Sequence, residues 1–281
     1  MTNVEQNIET PFIIEADFST ENSNLVAMAW SLPRPLSKFK STMKKVTHVL
    51  FLLVILLPLY ECAAQDTTSN GKYTFKKGDP NGIGKWYMGR EIAYVMGFQG
   101  MDWLDRPERE EEENTFKLLH NMDISAGDTI ADIGAGSGYH VFKMAQMAGE
   151  GLIYAVDIQD EMLAELRKNK ENGTGKNVEV IKGSEKSVNL PENSVDKVLM
   201  VDVYHEFNYP MEMIASIKKA LRIDGKIFLI EYRGEDDRVP IKRVHKMTEE
   251  QAVKEMQAAG MKLERNIGNL PWQHCMVFVK K

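Results

Sequence analysis

The stretch Asp132-Ile133-Gly134-Ala135-Gly136-Ser137-Gly138 decides the fold of this chain. It begins at the end of a predicted β-strand at 129–133 and leads directly into a predicted helix at 139–147. Glycines at alternate positions allow the backbone to turn sharply and allow a ligand to lie against the main chain. Because doubly wound sheets bind ligands beyond the carboxyl ends of their strands, this loop predicts a ligand site.

Strand and helix patterns alternate along the rest of the domain. Predicted strands lie at 129–133, 152–156, 178–182, 197–203, 226–232, 263–267 and 274–279, and predicted helices at 139–147, 160–170, 209–221 and 248–259. The run at 226–232 is largely apolar, as in parallel strands that are buried on both faces. We therefore predict an α/β domain at 107–281 with a doubly wound, mostly parallel sheet of seven strands. The acidic run of Glu108 and Glu110 to Glu113 is interpreted as a solvated face of the first helix.

The spacing of the glycines distinguishes between ligands. A dinucleotide fingerprint has two residues between its second and third glycines, whereas only Ser137 stands there in this chain. Asp132, two residues before the first glycine, would repel a pyrophosphate but suits the ammonium group of a methionine moiety. Asp157, at the end of the second strand, can accept both ribose hydroxyls, although NAD sites use the same device. An NAD-dependent oxidoreductase is therefore a second possible function, which the glycine spacing opposes.

Three further motifs and the glycine loop resemble those of class I methyltransferases that use S-adenosylmethionine (SAM). These motifs lie at 178–185, 189–196 and 221–229. The likeness is to the ubiquinone and menaquinone C-methyltransferase type, and segments at 201–206, 231–233 and 242–246 also resemble an uncharacterised bacterial group of exported methyltransferases. The resemblance implies a Rossmann-like methyltransferase fold, SAM as the cofactor and methyl transfer to an acceptor. Two further functions are compatible with these motifs, namely aminopropyl transfer from decarboxylated SAM and SAM binding by a module without catalysis.

The resemblance also implies which residues hold the cofactor. Asp132 and the loop glycines would line the methionine part, Asp157 would bind the ribose, and Ser184 with Glu185 would flank the adenine. Many relatives have Asp where this chain has Ser184, so that contact is absent or is made by Glu185 instead. The full predicted set is Asp132, Gly134, Ala135, Gly136, Gly138, Asp157, Ile158, Ser184, Glu185 and Asp202.

Several histidines and acids follow the strands at the edge of the sheet where an acceptor would enter. The predicted catalytic residues are His205, Glu206, Tyr232, His245 and His274. His205 is the preferred general base, because it follows the fourth strand on the methyl side of the cofactor and methyl transfer requires an oriented, deprotonated nucleophile. His205, Glu206, His245 and His274 could instead hold zinc, iron or manganese, but their spacing contains no local ligand motif and we predict no metal.

The charge and cysteine content argue against some partners. The chain has 281 residues, a net charge of −6 and no run of five basic residues, so nucleic acid is not expected as a partner. Its two cysteines cannot form a metal site of several thiolates. The predicted partner is a small-molecule substrate, and the sequence does not indicate an oligomeric state.

The first 106 residues are predicted to lie outside the main domain. Residues 1–42 are expected to be disordered, or to precede a true start at Met43. Residues 43–64 have the basic, apolar and small-residue regions of a signal peptide, or of a retained signal anchor. A cleaved signal peptide would make the protein exported or periplasmic, and a retained anchor would hold it in the membrane facing outward. In both cases this segment alone contacts the membrane. If the signal is not used, the protein would be cytoplasmic. Residues 65–106 are predicted to be a linker and a small helical cap.

Overall fold

The computed structural model describes residues 71–281, so the predictions for 1–42 and 43–64 lie outside the described residues. The described part begins with an antiparallel sheet of β1 (Tyr73–Phe75), β2 (Gly82–Tyr87) and β3 (Arg90–Ala93). A 3-10 turn at Phe98–Gly100 and the helices α1 (Met101–Leu104), α2 (Arg109–Glu113) and α3 (Thr115–Asn121) follow. Strands thus occupy part of the region that we expected to be a linker, and the cap contains a sheet as well as helices.

Packing of apolar and aromatic side chains explains the small N-terminal sheet. Tyr73 and Tyr87 lie on facing strands with their ring centroids 5.3 Å apart, and the buried side chain of Ile92 packs with them. The carboxylate of Glu91 accepts hydrogen bonds from the N–H groups of Asp79 (2.7 Å) and Gly84 (3.0 Å). These contacts order a segment whose glycine, lysine and asparagine content is typical of a loop.

The main sheet has seven strands, as predicted. They are β4 (Thr129–Ile133), β5 (Leu152–Asp157), β6 (Val178–Lys182), β7 (Val195–Val201), β8 (Leu221–Tyr232), β9 (Met261–Asn266) and β10 (Gln273–Lys280). Their order is β6-β5-β4-β7-β8-β10-β9, with β4 to β8 parallel and β10 antiparallel to both of its neighbours. The chain winds outward from β4 in both directions, so the crevice between β4 and β7 is the switch point of the fold. The predicted doubly wound α/β fold is confirmed.

Helices cover both faces of the main sheet. On one face α4 (Val141–Met147) and α5 (Asp160–Asn169) pack together with α3, and on the other face α6 (Pro210–Ala220) and α7 (Glu249–Ala258) pack. Successive strand residues such as Ile130 and Ala131 point into opposite cores, as the alternation of side chains along a strand requires. Among the helices at 71–281, none is long and apolar enough to cross a membrane.

Candidate cofactor and acceptor site

The glycine loop adopts backbone conformations that favour glycine. Gly134, Gly136 and Gly138 have positive φ angles of 76°, 55° and 92°. A Cβ atom on Gly134 would lie 2.5 Å from Cγ2 of Val203, and one on Gly138 would lie 2.5 Å from Cε2 of Phe142. The loop therefore requires glycine for both its turn and its close packing, and it stands at the predicted switch point.

Asp157 ties this loop to the end of β5. Its Oδ2 accepts a hydrogen bond from the N–H of Gly136 (3.0 Å), and its Oδ1 accepts from the N–H groups of Ile158 (2.7 Å) and Gln159 (2.9 Å). The N–H of Ala135 also donates to a carbonyl oxygen of β5 at 3.0 Å. The large apolar side chain of Ile158 is 40% exposed, so an apolar surface lies beside the carboxylate.

Asp132 is a buried carboxylate whose Oδ2 has no hydrogen-bond partner among the described residues. Burial raises the pKa of Asp132 to about 7, while the charge of Arg109 limits this rise and that of Asp157 adds to it. A buried acceptor without a donor costs free energy. A cation at Oδ2 would therefore stabilise the ionised carboxylate.

Two more buried oxygen atoms without partners lie at the same edge of the sheet. Asp202, directly after β7, accepts a hydrogen bond from Nε2 of Gln273 at 2.6 Å, but Asp202 Oδ1 and Gln273 Oε1 have no partner within residues 71–281. Burial raises the pKa of Asp202 well above its usual range, and the charges of Glu113 and Glu231 add to the rise. Together with Asp132, these residues offer three acceptors, which equals the number of N–H donors of one ammonium group.

Glu113 departs from the interpretation of the acidic run as a solvated face. It is buried and accepts hydrogen bonds from Arg106 (2.7 Å), Arg109 (2.8 Å) and the hydroxyl of Tyr232 (2.9 Å). The interpretation is therefore wrong for this residue, because its partners include a side chain that is 119 residues away in sequence. The burial of Tyr232 raises the pKa of its hydroxyl, which stays a neutral donor to Glu113.

Arg109 is a functional candidate that the sequence reasoning missed. Its guanidinium is buried and acts electrostatically on both Asp132 and Asp202. Its Nε donates to Glu113 and its Nη1 donates to the carbonyl oxygen of Leu104 at 2.7 Å, which uses two of its five N–H donors. The signal in the sequence was an arginine four residues before Glu113 in a predicted helix, a spacing that allows the two side chains to pair.

The structure brings three of the predicted catalytic residues together. Nδ1 of His205 lies 2.6 Å from Oε2 of Glu231, and Nε2 of His205 lies 3.1 Å from Nδ1 of His245. Oε1 of Glu206 lies 3.8 Å from Nε2 of His205 and 3.7 Å from Nδ1 of His245. We call His205, Glu206 and His245 the histidine-glutamate cluster.

Charges within the cluster are set by burial and by Glu231. Burial lowers the pKa of His205, but the charge and hydrogen bond of Glu231 outweigh it, so the pKa is raised. Burial raises the pKa of Glu206 to about 7, and the charge of Asp157 contributes to this rise. Burial lowers the pKa of His245 to about 4, and the nearby His205 adds to the effect. His245 is therefore neutral at pH 7, where its imidazole offers a lone pair to a hydrogen-bond donor or to a metal.

His274 lies outside the histidine-glutamate cluster. Its Nδ1 is 3.0 Å from Nδ2 of Asn266, and its Nε2 is 2.9 Å from Oε2 of Glu235. These contacts bind it to β9 and to the loop after β8. The structure thus assembles His205, Glu206 and His245, but it does not bring His274 or the Glu113-bound Tyr232 to them.

The residues predicted to flank adenine follow β6. The N–H of Gly183 donates to the carbonyl oxygen of Asp157 at 2.9 Å, which brings this loop next to the end of β5. Ser184 and Glu185 are both exposed, and Glu185 accepts a hydrogen bond from Asn208 at 3.0 Å. Their contact with adenine stays a prediction, as does that of the exposed Ile158 side chain.

Residues 124–275, more than half of the chain, match the family described as the methyltransferase domain. The chain belongs to this family. Over 143 residues the methyltransferase is 29% identical to YdaC, an uncharacterised methyltransferase of Bacillus subtilis, with 50% of this chain and 76% of that protein covered. Over 138 residues it is 30% identical to a tRNA U34 carboxymethyltransferase of Pseudoalteromonas translucida, with 47% of this chain but only 41% of that protein covered.

A solved structure shows the same fold. It is that of a SAM-dependent methyltransferase from Aquifex aeolicus, with a TM-score of 0.62 and 24% sequence identity. The match covers 66% of this chain and 98% of that chain. The family match makes the protein a methyltransferase, with SAM as its cofactor, and the solved structure shows that its fold is Rossmann-like.

The residues at the switch point of the methyltransferase fit SAM. The acceptors of Asp132, Asp202 and Gln273 suit the cationic ammonium of the methionine part, and the remaining N–H donors of Arg109 suit its carboxylate. Asp157 suits the ribose hydroxyls. A dinucleotide pyrophosphate would instead meet the buried carboxylate of Asp132.

The affinity of the methyltransferase for SAM should depend on pH through Asp132. Because the pKa of Asp132 is about 7 in the free protein, its ionised fraction falls as the pH falls, and the SAM ammonium then loses its charged acceptor. Calorimetric titration should give a Kd about tenfold higher at pH 6 than at pH 8, from the change in ionised fraction. Asp132→Asn should bind SAM more weakly with a flatter pH profile; an equally steep profile in this variant would contradict the assignment.

Proposed function

We propose that this methyltransferase transfers the methyl group of SAM to a small-molecule acceptor that binds at the histidine-glutamate cluster. The observation that carries the proposal is a series of hydrogen bonds between the cluster and the glycine loop at 132–138, which we also call the cofactor loop. Oε1 of Glu206 accepts a hydrogen bond from the N–H of Met96 (3.1 Å), and the carbonyl oxygen of Met96 accepts one from the side chain of Gln159 (3.0 Å). Gln159 in turn donates its own N–H to Asp157, so the cluster stands close to the predicted ribose site.

The enclosure of the cluster favours a small acceptor. The side chains of His205 and Glu206 are only 2% and 10% exposed, so a bulky group would not reach them without displacing the cap. The cap also covers the cofactor loop, where the hydroxyl of Ser137 donates to Asp105 at 3.0 Å. The net charge of −6 gives no attraction for a nucleic-acid backbone. The likeness to ubiquinone and menaquinone C-methyltransferases stays a prediction within this proposal.

The cluster supplies groups that can activate an acceptor. When bound, SAM supplies an electrophilic methyl group on a positively charged sulfur. Glu231 holds the Nδ1 proton of His205, so that the lone pair of Nε2 faces Glu206 and His245. A nucleophile between Nε2 and the cofactor loop would be oriented and would lose its proton on this side.

Replacement of the predicted ribose ligand should separate cofactor binding from folding. Asp157→Ala should weaken SAM binding by about 1–3 kcal/mol, because the hydroxyls lose a charged acceptor and the N–H of Gly136 loses its partner. Calorimetric titration measures the change. The matched control is Asp160→Ala, which removes an exposed carboxylate paired with Lys182 at 2.7 Å and should leave SAM affinity unchanged. Equal affinities of the Asp157 and Asp160 variants would contradict the site.

The acceptor can be identified by transfer of a labelled methyl group. Purified protein would be incubated with methyl-labelled SAM and host extracts, and the labelled products would be separated by size and analysed by mass spectrometry. We expect label in small molecules, and much less label with the Asp157→Ala variant at a SAM concentration below its Kd. Label in tRNA or protein would overturn the small-molecule proposal, and label nowhere despite SAM binding would favour a non-catalytic module. A parallel incubation with decarboxylated SAM tests for aminopropyl transfer, which would give products that carry the aminopropyl group.

A further inference from the structure

The three ligand atoms of the histidine-glutamate cluster have the spacing of atoms that share one metal ion. His205 Nε2, His245 Nδ1 and Glu206 Oε1 all lie within 4.8 Å of one another, at 3.1, 3.7 and 3.8 Å. The point that is equidistant from all three lies about 2.1 Å from each, which is a usual metal–nitrogen or metal–oxygen bond length.

The orientation of His205 is that of a metal ligand supported by a carboxylate. Glu231 is fully buried and lies 2.6 Å from Nδ1 of His205, which fixes the ring and directs the Nε2 lone pair at the other two ligand atoms. Metal-binding histidines commonly have such a carboxylate on their second nitrogen. Arg90 Nη1 also donates to the carbonyl oxygen of His205 at 3.0 Å, so the turn that carries the ligand is held from its backbone.

Glu206 Oε1 is held beside the two histidines by a hydrogen bond from the N–H of Met96 at 3.1 Å, and it makes no hydrogen bond to either imidazole. The contact of 3.1 Å between His205 and His245 is a hydrogen bond by its length, but the Glu206 distances of 3.7 and 3.8 Å are too long for one. Ligand atoms at about 2.1 Å from a common ion and at angles of about 90–120° are separated by about 3.0–3.6 Å. The distance between the two histidines falls within this range, and the two Glu206 distances exceed it by only 0.1 and 0.2 Å, so a small shift of the Glu206 side chain would bring all three atoms onto one ion.

We propose that His205, Glu206 and His245 bind one divalent transition-metal ion and that this ion positions an oxygen-bearing acceptor for methyl transfer. Two imidazoles and one carboxylate suit Zn²⁺, Fe²⁺ or Mn²⁺ and leave further coordination positions open. The metal site stands by itself, whereas its role in catalysis rests on the proposed function. The sequence-based prediction of no metal is replaced by this proposal, because the folded chain assembles ligands from two separate turns.

The metal defines the chemical class of acceptor. A hydroxyl beside the ion loses its proton more readily, since the positive charge stabilises the oxyanion, and the proton passes to solvent water. The oxygen then forms a bond to the methyl carbon while the carbon–sulfur bond breaks, and its electron pair stays on sulfur to give S-adenosylhomocysteine. An acceptor with two neighbouring oxygens would fill two open positions and would be held most firmly. His205 then acts as a ligand and not as the proton acceptor.

Metal binding can be measured without any acceptor. The full chain would be stripped with chelator and titrated with Zn²⁺, Mn²⁺ or Co²⁺ alone, with the metal content counted by mass spectrometry and the Co²⁺ complex followed by its visible absorption. We expect one ion per chain in the parent protein and at least a hundredfold weaker binding in His205→Ala/His245→Ala. His120→Ala, which removes an exposed histidine of α3, should bind as the parent does. Equal binding by the parent and the double variant would overturn the proposal.

A second variant keeps the test independent of folding. His245→Asn changes a side chain that is 23% exposed, so it disturbs the core less than a change at His205, and it should still weaken metal binding. Bound metal with no methyl transfer to any acceptor would refute the proposed function and leave the metal site. Methyl transfer by the parent that persists after chelation, with no ion bound, would refute the role of the ion in catalysis and leave the proposed function.

Discussion

His205→Ala should lower the turnover of methyl transfer by about 10²–10⁴-fold while the affinity for SAM changes little. His205 is buried, its ring is fixed by Glu231, and its Nε2 faces the other members of the histidine-glutamate cluster. The residue serves the acceptor whether it takes a proton or binds a metal, and its removal leaves the cofactor loop intact. The measurement is single-turnover kinetics with the identified acceptor, together with calorimetric titration of SAM.

Two controls make this result specific. Removal of the imidazole leaves Glu231 buried without its partner, so thermal unfolding with and without SAM must show that the variant is folded. His120→Ala removes an exposed histidine of α3 and should keep full turnover. Full turnover of His205→Ala at pH 8 would show that the histidine is structural, and Glu206 and His245 would become the next residues to test. Sensitivity of the parent enzyme to chelator distinguishes a metal ligand from a general base.

Replacement of Glu231 tests whether this residue positions His205 for catalysis. Glu231→Gln keeps a hydrogen-bond acceptor near Nδ1 of His205 but removes the charge that raises the pKa of the imidazole. A merely structural role would leave the pH profile of turnover unchanged. With His205 as the general base, the variant should move the acid limb of that profile to lower pH, because the histidine then loses its proton more easily; with His205 as a metal ligand, the variant should instead weaken metal binding.

The central strands could be predicted from sequence because local patterns determine them. The structure gives β4 and β6 the predicted bounds of 129–133 and 178–182, since each is a short segment rich in β-branched residues between clear turn signals. The glycine loop could also be predicted from the sequence, because it requires positive φ angles that glycine adopts readily. Topology then placed the residues that follow each strand at one edge of the sheet.

Long-range contacts account for what the sequence could not show. The strands β1 to β3 are short and are flanked by residues typical of loops, and their stability comes from packing of Tyr73 and Tyr87 rather than from local preference. The sequence placed three histidines near the acceptor edge, but it could not tell that His205 and His245, 40 residues apart, meet while His274 turns to Glu235. Side-chain direction in such turns depends on backbone angles that residue patterns do not determine.

Glu255→Ala should lower the free energy of unfolding by about 3–5 kcal/mol, because it leaves a buried arginine without its partner. The carboxylate of Glu255 is fully buried and accepts hydrogen bonds from Arg90 at 2.8 and 2.9 Å, from Tyr204 at 2.9 Å and from Gln251 at 2.7 Å. These contacts join β3 of the small sheet to α7 and to the turn after β7. Denaturant unfolding with linear extrapolation measures the loss.

The matched control for this prediction is Glu264→Ala, whose carboxylate pairs with Lys226 at 3.0 Å and Arg265 at 2.7 Å on the surface. Exposed pairs of this kind contribute about 0–1 kcal/mol, so the two variants should differ clearly, and equal losses would contradict the account.

Arg90 also donates to the carbonyl oxygen of His205, so its loss of a partner should loosen the turn that carries the histidine-glutamate cluster. At a temperature where Glu255→Ala is still folded, turnover should therefore fall while the affinity for SAM is kept, because the cofactor loop makes no contact with Glu255 in this network.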